Sequence, residues 1–259
     1  MKTSKHIWLV VALVMMSLNA VKAGGEDKFR WFFVRGLQES RPDLWSDARV
    51  EFEDLVVRLE EKREKTKSDE AFLRYVFYSV HRKYLGEYKQ YVALGEIFDK
   101  RRQYDCVTGT ALYALVLDYF GFRYEIRETD YHVYLMAYAD GQKFLIESTD
   151  ALYGITKDPK EIEARHRVIL DDAGRVNAQI AMQGLGSKHS KSVAPTAVID
   201  KAVTLEQLAG LHYYNLALDQ LNAQNYSESF KLVSKAYQIY PSERIKQTAS
   251  LVFALAFGD

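Results

Sequence analysis

The sequence predicts an α+β fold, a helix set against an antiparallel sheet and followed by a small all-α end. Three observations predict it. An apolar stripe follows Cys106, with Ala111, Leu112, Leu115, Val116, Tyr119 and Phe120 at spacings of one, three or four. Three strand-like runs come next, Phe122 to Arg127, Tyr131 to Tyr138 and Gln142 to Glu147, the last two joined by Asp140-Gly141. From Thr204 the chain reads as helical to near its end.

The chain has 259 residues, 48% of them hydrophobic and 27% charged, enough for one large domain or two small ones. Its formal net charge is zero, so the overall balance points neither to nucleic acid nor to an anionic membrane surface. Lys2 and Lys5 precede an apolar run from Ile7 to Leu18, followed by Val21-Lys22-Ala23. That is the layout of a secretory signal over residues 1–23, cut after Ala23, and the apolar run is too short to span a bilayer. An exported protein, periplasmic or secreted, with no stable membrane anchor is therefore expected. A lone cysteine excludes an intramolecular disulfide and makes the thiol either a buried apolar group or a reactive one.

Taken in order, residues 24–43 carry an aromatic cluster from Phe29 to Val34 without clean periodicity. Leu44, Ala48, Phe52, Leu55, Val56 and Leu59 then predict a helix. Ser68 before Asp69-Glu70 is an N-cap signal for a second, with Phe72, Tyr75, Val76, Val80 and Tyr84 inward. Gly121 stops the helix that Cys106 opens. Glu161 to Leu170 fits helix or strand, and residues 171–203, rich in Gly and Ser, read as a loop or linker between a domain at 24–170 and the helical end at 204–259.

The chemistry sits at Cys106, His132 and Glu147. A two-residue turn at Asp140-Gly141 pairs Ala139 with Gln142, Tyr134 with Glu147 and His132 with Thr149. One face of the hairpin then carries Val133, Leu135, Ala137, Phe144 and Ile146, the core face. The other carries His132, Tyr134, Leu145, Glu147 and Thr149. Glu147 lies diagonally across from His132, within reach of long side chains, whereas Asp150 falls on the opposite face. A thiol at a helix start, a histidine and an acid to orient it are the parts of a thiol nucleophile site.

Residues 94–156 resemble the transglutaminase-like branch of the papain-like cysteine superfamily. The resemblance rests on Cys106 opening a helix, His132 starting a strand, and Glu147-Ser148-Thr149 fifteen residues on. Glu147 stands where the family usually has aspartate, and Tyr134 where it often has tryptophan. The resemblance implies acyl transfer from a peptide or carboxamide by a Cys106-His132-Glu147 triad, with neither cofactor nor metal. It further implies an oxyanion site from the Cys106 backbone N–H together with Gln103 or Tyr104. Tyr104 and Tyr134 are candidates to line a groove. Residues 210–243 resemble one tetratricopeptide repeat, carried by Tyr213, Leu216, Ala217, Ser229, Val233, Ala236 and Pro241. Ser242 caps a further helix whose Ile245, Leu251, Val252, Leu255 and Phe257 are expected to cover the repeat's open face. A protein or peptide substrate and a protein partner on the helical end are the expected ligands. The rival reading is an exported binding module that keeps the fold with an inactive triad.

Overall fold

The computed structural model describes residues 45–184 and 199–258. The signal segment, the aromatic cluster at 24–43 and residues 185–198 of the expected linker lie outside them. The fold is α+β. Two helices come first, α1 (Trp45–Glu64) and α2 (Asp69–Tyr84), and Ser68 caps the second by accepting from the Ala71 N–H. Two short parallel strands, β1 (Glu87–Tyr88) and β2 (Gln103–Tyr104), flank a 3-10 turn at Leu94–Phe98. Helix α3 (Cys106–Tyr119) then leads into β3 (Arg123–Thr129), β4 (Val133–Ala139), β5 (Gln142–Ile146) and β6 (Ile155–Thr156). Helix α4 (Pro159–Gly184) and strand β7 (Asp200–Val203) precede a run of three helices, α5 (Leu205–Asn222), α6 (Tyr226–Ile239) and α7 (Glu243–Phe257).

The five long-range strands form one antiparallel sheet in the order β6-β5-β4-β3-β7. Its β4–β5 register, Ala139 opposite Gln142 through Leu135 opposite Ile146, is the one the two-residue turn dictates. Asp140 and Gly141 both take positive φ, 48° and 72°, the conformation a type I′ turn needs and that glycine adopts without strain. Val133, Leu135, Ala137, Phe144 and Ile146 join the main core. On the reverse face Tyr134, Met136 and Leu145 form a second cluster, covered by Ile162 and Ile169 of α4. That period-2 split leaves no choice about which side chains meet α3.

Helix α3 is buried all round, from Cys106 to Leu117, which is why its sequence is apolar on every face rather than striped. Asp105 starts it as a capping box, accepting from the Thr108 N–H while Thr108 reaches back to the Asp105 N–H. The main core runs without a break from Ala48 on α1 to Val252 on α7. The three C-terminal helices therefore share a core with the sheet.

Several expectations need correction. Tyr75 is exposed, and Leu73 and Phe77 take the inward places on α2, because the buried arc of that helix is rotated from the one the tyrosine spacing suggested. Residues 171–184 continue α4, and residues 200–203 pair with β3. These stretches are helix and edge strand rather than linker. On α7 only Ile245 and Val252 are buried, while Leu251, Leu255 and Phe257 are exposed, joined there by Phe253. The helix buries one narrow side against α6, while Phe253 and Phe257 meet the Phe230 ring of α6 at 5.5 and 5.4 Å and stay exposed on their outer faces.

The joint between the helical end and the sheet carries an ionic contact beside this shared core. Glu128 on β3 is 1% exposed, and Arg244 of α7 meets it at 2.6 Å while the Tyr240 hydroxyl donates to its other oxygen. A charge buried this deeply survives only with partners. Arg244→Leu is accordingly expected to destabilise the fold by about 3–5 kcal/mol in urea unfolding. The double variant Glu128→Leu/Arg244→Leu should recover most of that loss, since no charge is then stranded.

Candidate active site

Three side chains from three different elements converge at one end of α3. Cys106 is the first residue of the helix, where backbone N–H groups have no preceding carbonyl to bond and the helix dipole is positive. His132 sits in the tight connection before β4, held by Thr129: the Thr129 N–H donates to the His132 carbonyl at 2.8 Å, and the His132 N–H donates to Thr129 Oγ1 at 3.1 Å. Glu147 follows the last residue of β5. Its N–H donates to the Gly154 carbonyl, closing the 147–154 loop. A Cβ on Gly154 would stand 2.3 Å from the Glu147 and Asp150 carbonyl oxygens, so only glycine lets that loop close.

His132 Nε2 lies 2.5 Å from Glu147 Oε2. The other carboxylate oxygen accepts from the Thr149 N–H at 3.0 Å and from its hydroxyl at 2.7 Å. Burial works against the Glu147 charge, but the His132 and Thr149 bonds outweigh it and hold the carboxyl below its ordinary range. Burial likewise works against a charged imidazole. The hydrogen bonds to Cys106 and Glu147, reinforced by their negative charge, overcome it and push the His132 pKa up to about 10. With Nε2 given to Glu147, Nδ1 is the ring nitrogen left to serve the Cys106 sulfur. Asp150 is occupied elsewhere, capping its own turn at Leu152 and Tyr153 and pairing with Arg165 at 3.0 Å. The structure thus brings Cys106, His132 and Glu147 together and keeps Asp150 apart.

The expected oxyanion donors fare differently. The Gln103 side-chain amide is buried and donates to Glu87 at 2.8 Å across the β1–β2 pair. Tyr104 is buried edge-on between His81 and Tyr88. Neither lines the cleft that opens on the sulfur. Tyr134 is buried on the reverse face of the sheet, its hydroxyl against His166 Nδ1 and its ring stacked on His132 at 6.4 Å. It backs the imidazole from behind and lines neither of the two hollows at His132. The residue the sequence reading missed is Tyr88. It lines the cleft together with Cys106, its ring edge-on to Tyr104 at 5.8 Å. A lone tyrosine in a two-residue strand gives no periodic signal by which to find it.

The cleft holds about 640 Å³, with Cys106 and His132 on one side and residues of α5 and α7 on the other. A second hollow of about 520 Å³ reaches His132 and Glu147 from the α4 side. Asn215 of α5 donates to Asp105 Oδ2 at 3.3 Å, and Arg244 of α7 donates to the Asp130 carbonyl. The helical end therefore braces both the cap before Cys106 and the loop before His132. Among the described residues no group of three or more His, Cys, Asp or Glu is placed to hold a metal ion. No family model, curated protein or solved structure matches this chain.

The raised His132 pKa fixes the sign of one pH dependence. The protonated ring stabilises the fold fully below the ordinary histidine range near 6.5, and that contribution is lost as the pH climbs through about 10. Thermal unfolding between pH 7 and pH 10 should therefore show a larger fall in Tm for the wild type than for His132→Gln. Equal slopes would mean that the imidazole is neutral in the folded protein.

Proposed function

We propose that this chain is a transglutaminase-like cysteine acyl-transfer enzyme that hydrolyses peptide or carboxamide bonds through Cys106, His132 and Glu147. One observation carries the reading. The cysteine that opens a buried helix shares a cleft with a histidine whose far nitrogen is fixed by a buried, fully hydrogen-bonded glutamate. A buried structural thiol requires none of these partners.

In the proposed reaction the Cys106 sulfur, as thiolate, attacks the carbonyl carbon of the amide. The oxyanion that forms is met by backbone N–H groups in the first turn of α3 and by the Tyr88 hydroxyl. Collapse breaks the C–N bond as His132 gives its proton to the departing amine, leaving a thioester. Water then attacks the thioester carbonyl and passes a proton to His132. The carboxylic acid leaves, and the thiolate–imidazolium pair is restored. Glu147 holds the ring orientation throughout and stabilises its positive charge.

Several features of the chain support the wider setting. The apolar run ahead of Ala23 supports export, and among the described residues no helix is long and apolar enough to cross a membrane. The three-helix end, with Ser229 of α6 donating to the Ala217 carbonyl of α5 at 2.8 Å, supports a tetratricopeptide-like helix pair closed by α7. The exposed Leu251, Phe253, Leu255 and Phe257 on α7 support a protein partner at that end. The competing reading, an inactive binding module, draws on the same surface but assigns no task to the triad.

Two measurements test the proposal. Carbamidomethylation of Cys106 by iodoacetamide at pH 6, followed by intact mass, should run at least about tenfold faster than that of free cysteine, and His132→Ala should abolish the advantage. Labelling that appears only in denaturant would make Cys106 a structural thiol. A peptide library incubated with and without a primary amine should then give hydrolysis products from the wild type and none from Cys106→Ala. Amine adducts in excess of hydrolysis would reassign the reaction to crosslinking.

A further inference from the structure

Helix α5 presents two faces with different work. Tyr213 and Ala217 are fully buried, with Ala217 against Ser229 of α6. Leu211, Tyr214, Asn215 and Leu218, at positions i, i+3, i+4 and i+7, line the cleft on which Cys106 and His132 open. Leu211 and Tyr214 also belong to the main core and Leu218 packs against it, so the cleft is lined here by an edge of that core. Tyr91 on the loop after β1 adds another ring to the same cleft, held in a left-handed conformation at φ 61°. That conformation leads directly into Val92, whose N–H donates to the Asp105 carboxylate.

The charged groups in this cleft are already committed. Asp105 is consumed by its cap, by Val92 and by Asn215. Arg244 is, among the described residues lining the cleft, the fixed cation apart from His132, and it is spent on Glu128 and the Asp130 carbonyl. Asp130 accepts from the Ile199 N–H, and Glu243 accepts from the Gln247 amide at 3.3 Å with Lys246 3.8 Å from its other oxygen. Tyr214 is a fixed platform, its hydroxyl bonded to Thr248 at 3.2 Å and its ring covered by the Arg244 guanidinium at 5.2 Å. What the wall offers a ligand is rigid apolar and aromatic surface whose charged groups are already engaged.

We infer that the C-terminal helices form the substrate-selecting wall of the thiol site, a subsite for an apolar or aromatic side chain on the acyl side of the bond attacked, and that an acidic side chain there is rejected. The inference rests on the thiol-enzyme reading for the word substrate, but the subsite itself is a property of Leu211, Tyr214, Leu218 and Tyr91. The helical end is thereby part of the site.

The test uses the full mature chain and two readouts. In the first, Cys106 is alkylated by acetyl-phenylalanyl, acetyl-leucyl, acetyl-lysyl and acetyl-aspartyl chloromethyl ketones, a C–S bond forming as chloride leaves. Each rate is divided by that probe's rate with glutathione and by the same protein's rate with iodoacetamide. The phenylalanyl and leucyl probes should exceed the aspartyl probe by about tenfold or more, the effect of burying one large apolar side chain. In Leu218→Asp and in Tyr214→Ala, each checked for folding by circular dichroism, the ratio should shrink to about threefold or less. In the second readout, saturation-transfer NMR follows acetyl-phenylalanine amide and acetyl-aspartic acid amide on Cys106→Ala protein, with only the first expected to bind. Reactive Cys106 with no ranking in either assay would overturn the subsite. An inert thiol with selective binding of the phenylalanine amide would remove the chemistry and leave the subsite standing, and an inert thiol with no selective binding would remove both.

Discussion

The hydrogen bond between His132 Nε2 and Glu147 holds the site together, and it depends on how two strands are paired. Both residues lie just beyond the hydrogen-bonded ladder, at the open end of the β4–β5 hairpin whose closed end is Asp140-Gly141. A slip of one residue would turn Glu147 to the other face and bring Asp150 toward the imidazole, because side chains alternate along a strand. The left-handed turn and the apolar face of the hairpin, pressed on α3, rule out that slip. The pairing is also self-reinforcing electrostatically. Each buried group would be unfavourable alone, and each restores the other's charged form against the effect of burial.

The same economy recurs at the joint with the helical end. Glu128 is buried and is made tolerable by Arg244 and Tyr240, both from the C-terminal segment. Arg244 then continues to the Asp130 carbonyl, two residues from His132, and Asn215 reaches the cap that precedes Cys106. Two polar contacts from one helical segment thus bear on the two loops that carry the candidate nucleophile and its base. Such contacts couple the relative placement of the elements to the geometry of the site, since both loops are short and already tightly bonded.

Much of this was legible in the chain because it follows from local rules. The helix starts at Ser68, Thr204 and Ser242 are capping chemistry. The hairpin register is turn chemistry plus period-2 alternation, and it favours Glu147 over Asp150 as the partner of His132. Errors came where a local pattern was compatible with two arrangements. The Tyr75 spacing fits a helical stripe, but the core chose Leu73 and Phe77. The α7 sequence carries apolar residues on two sides, and packing against α6 buries only one of them.

By itself the sequence determined the α+β class, the β4–β5 register and the helix starts at Ser68, Thr204 and Ser242, because each depends on neighbours a few residues apart or on a turn of fixed length, and it marked Cys106, His132 and Glu147 as the candidate site by their order along the chain. Only the tertiary structure decided that Gln103 is consumed by Glu87, that Tyr88 and not Tyr104 lines the cleft with Cys106, and that α5 and α7 close the cleft. Those contacts join residues up to more than a hundred positions apart, such as Asn215 with Asp105. Nothing in local periodicity records them, because they arise from the way a shared core lays the helical end against the sheet.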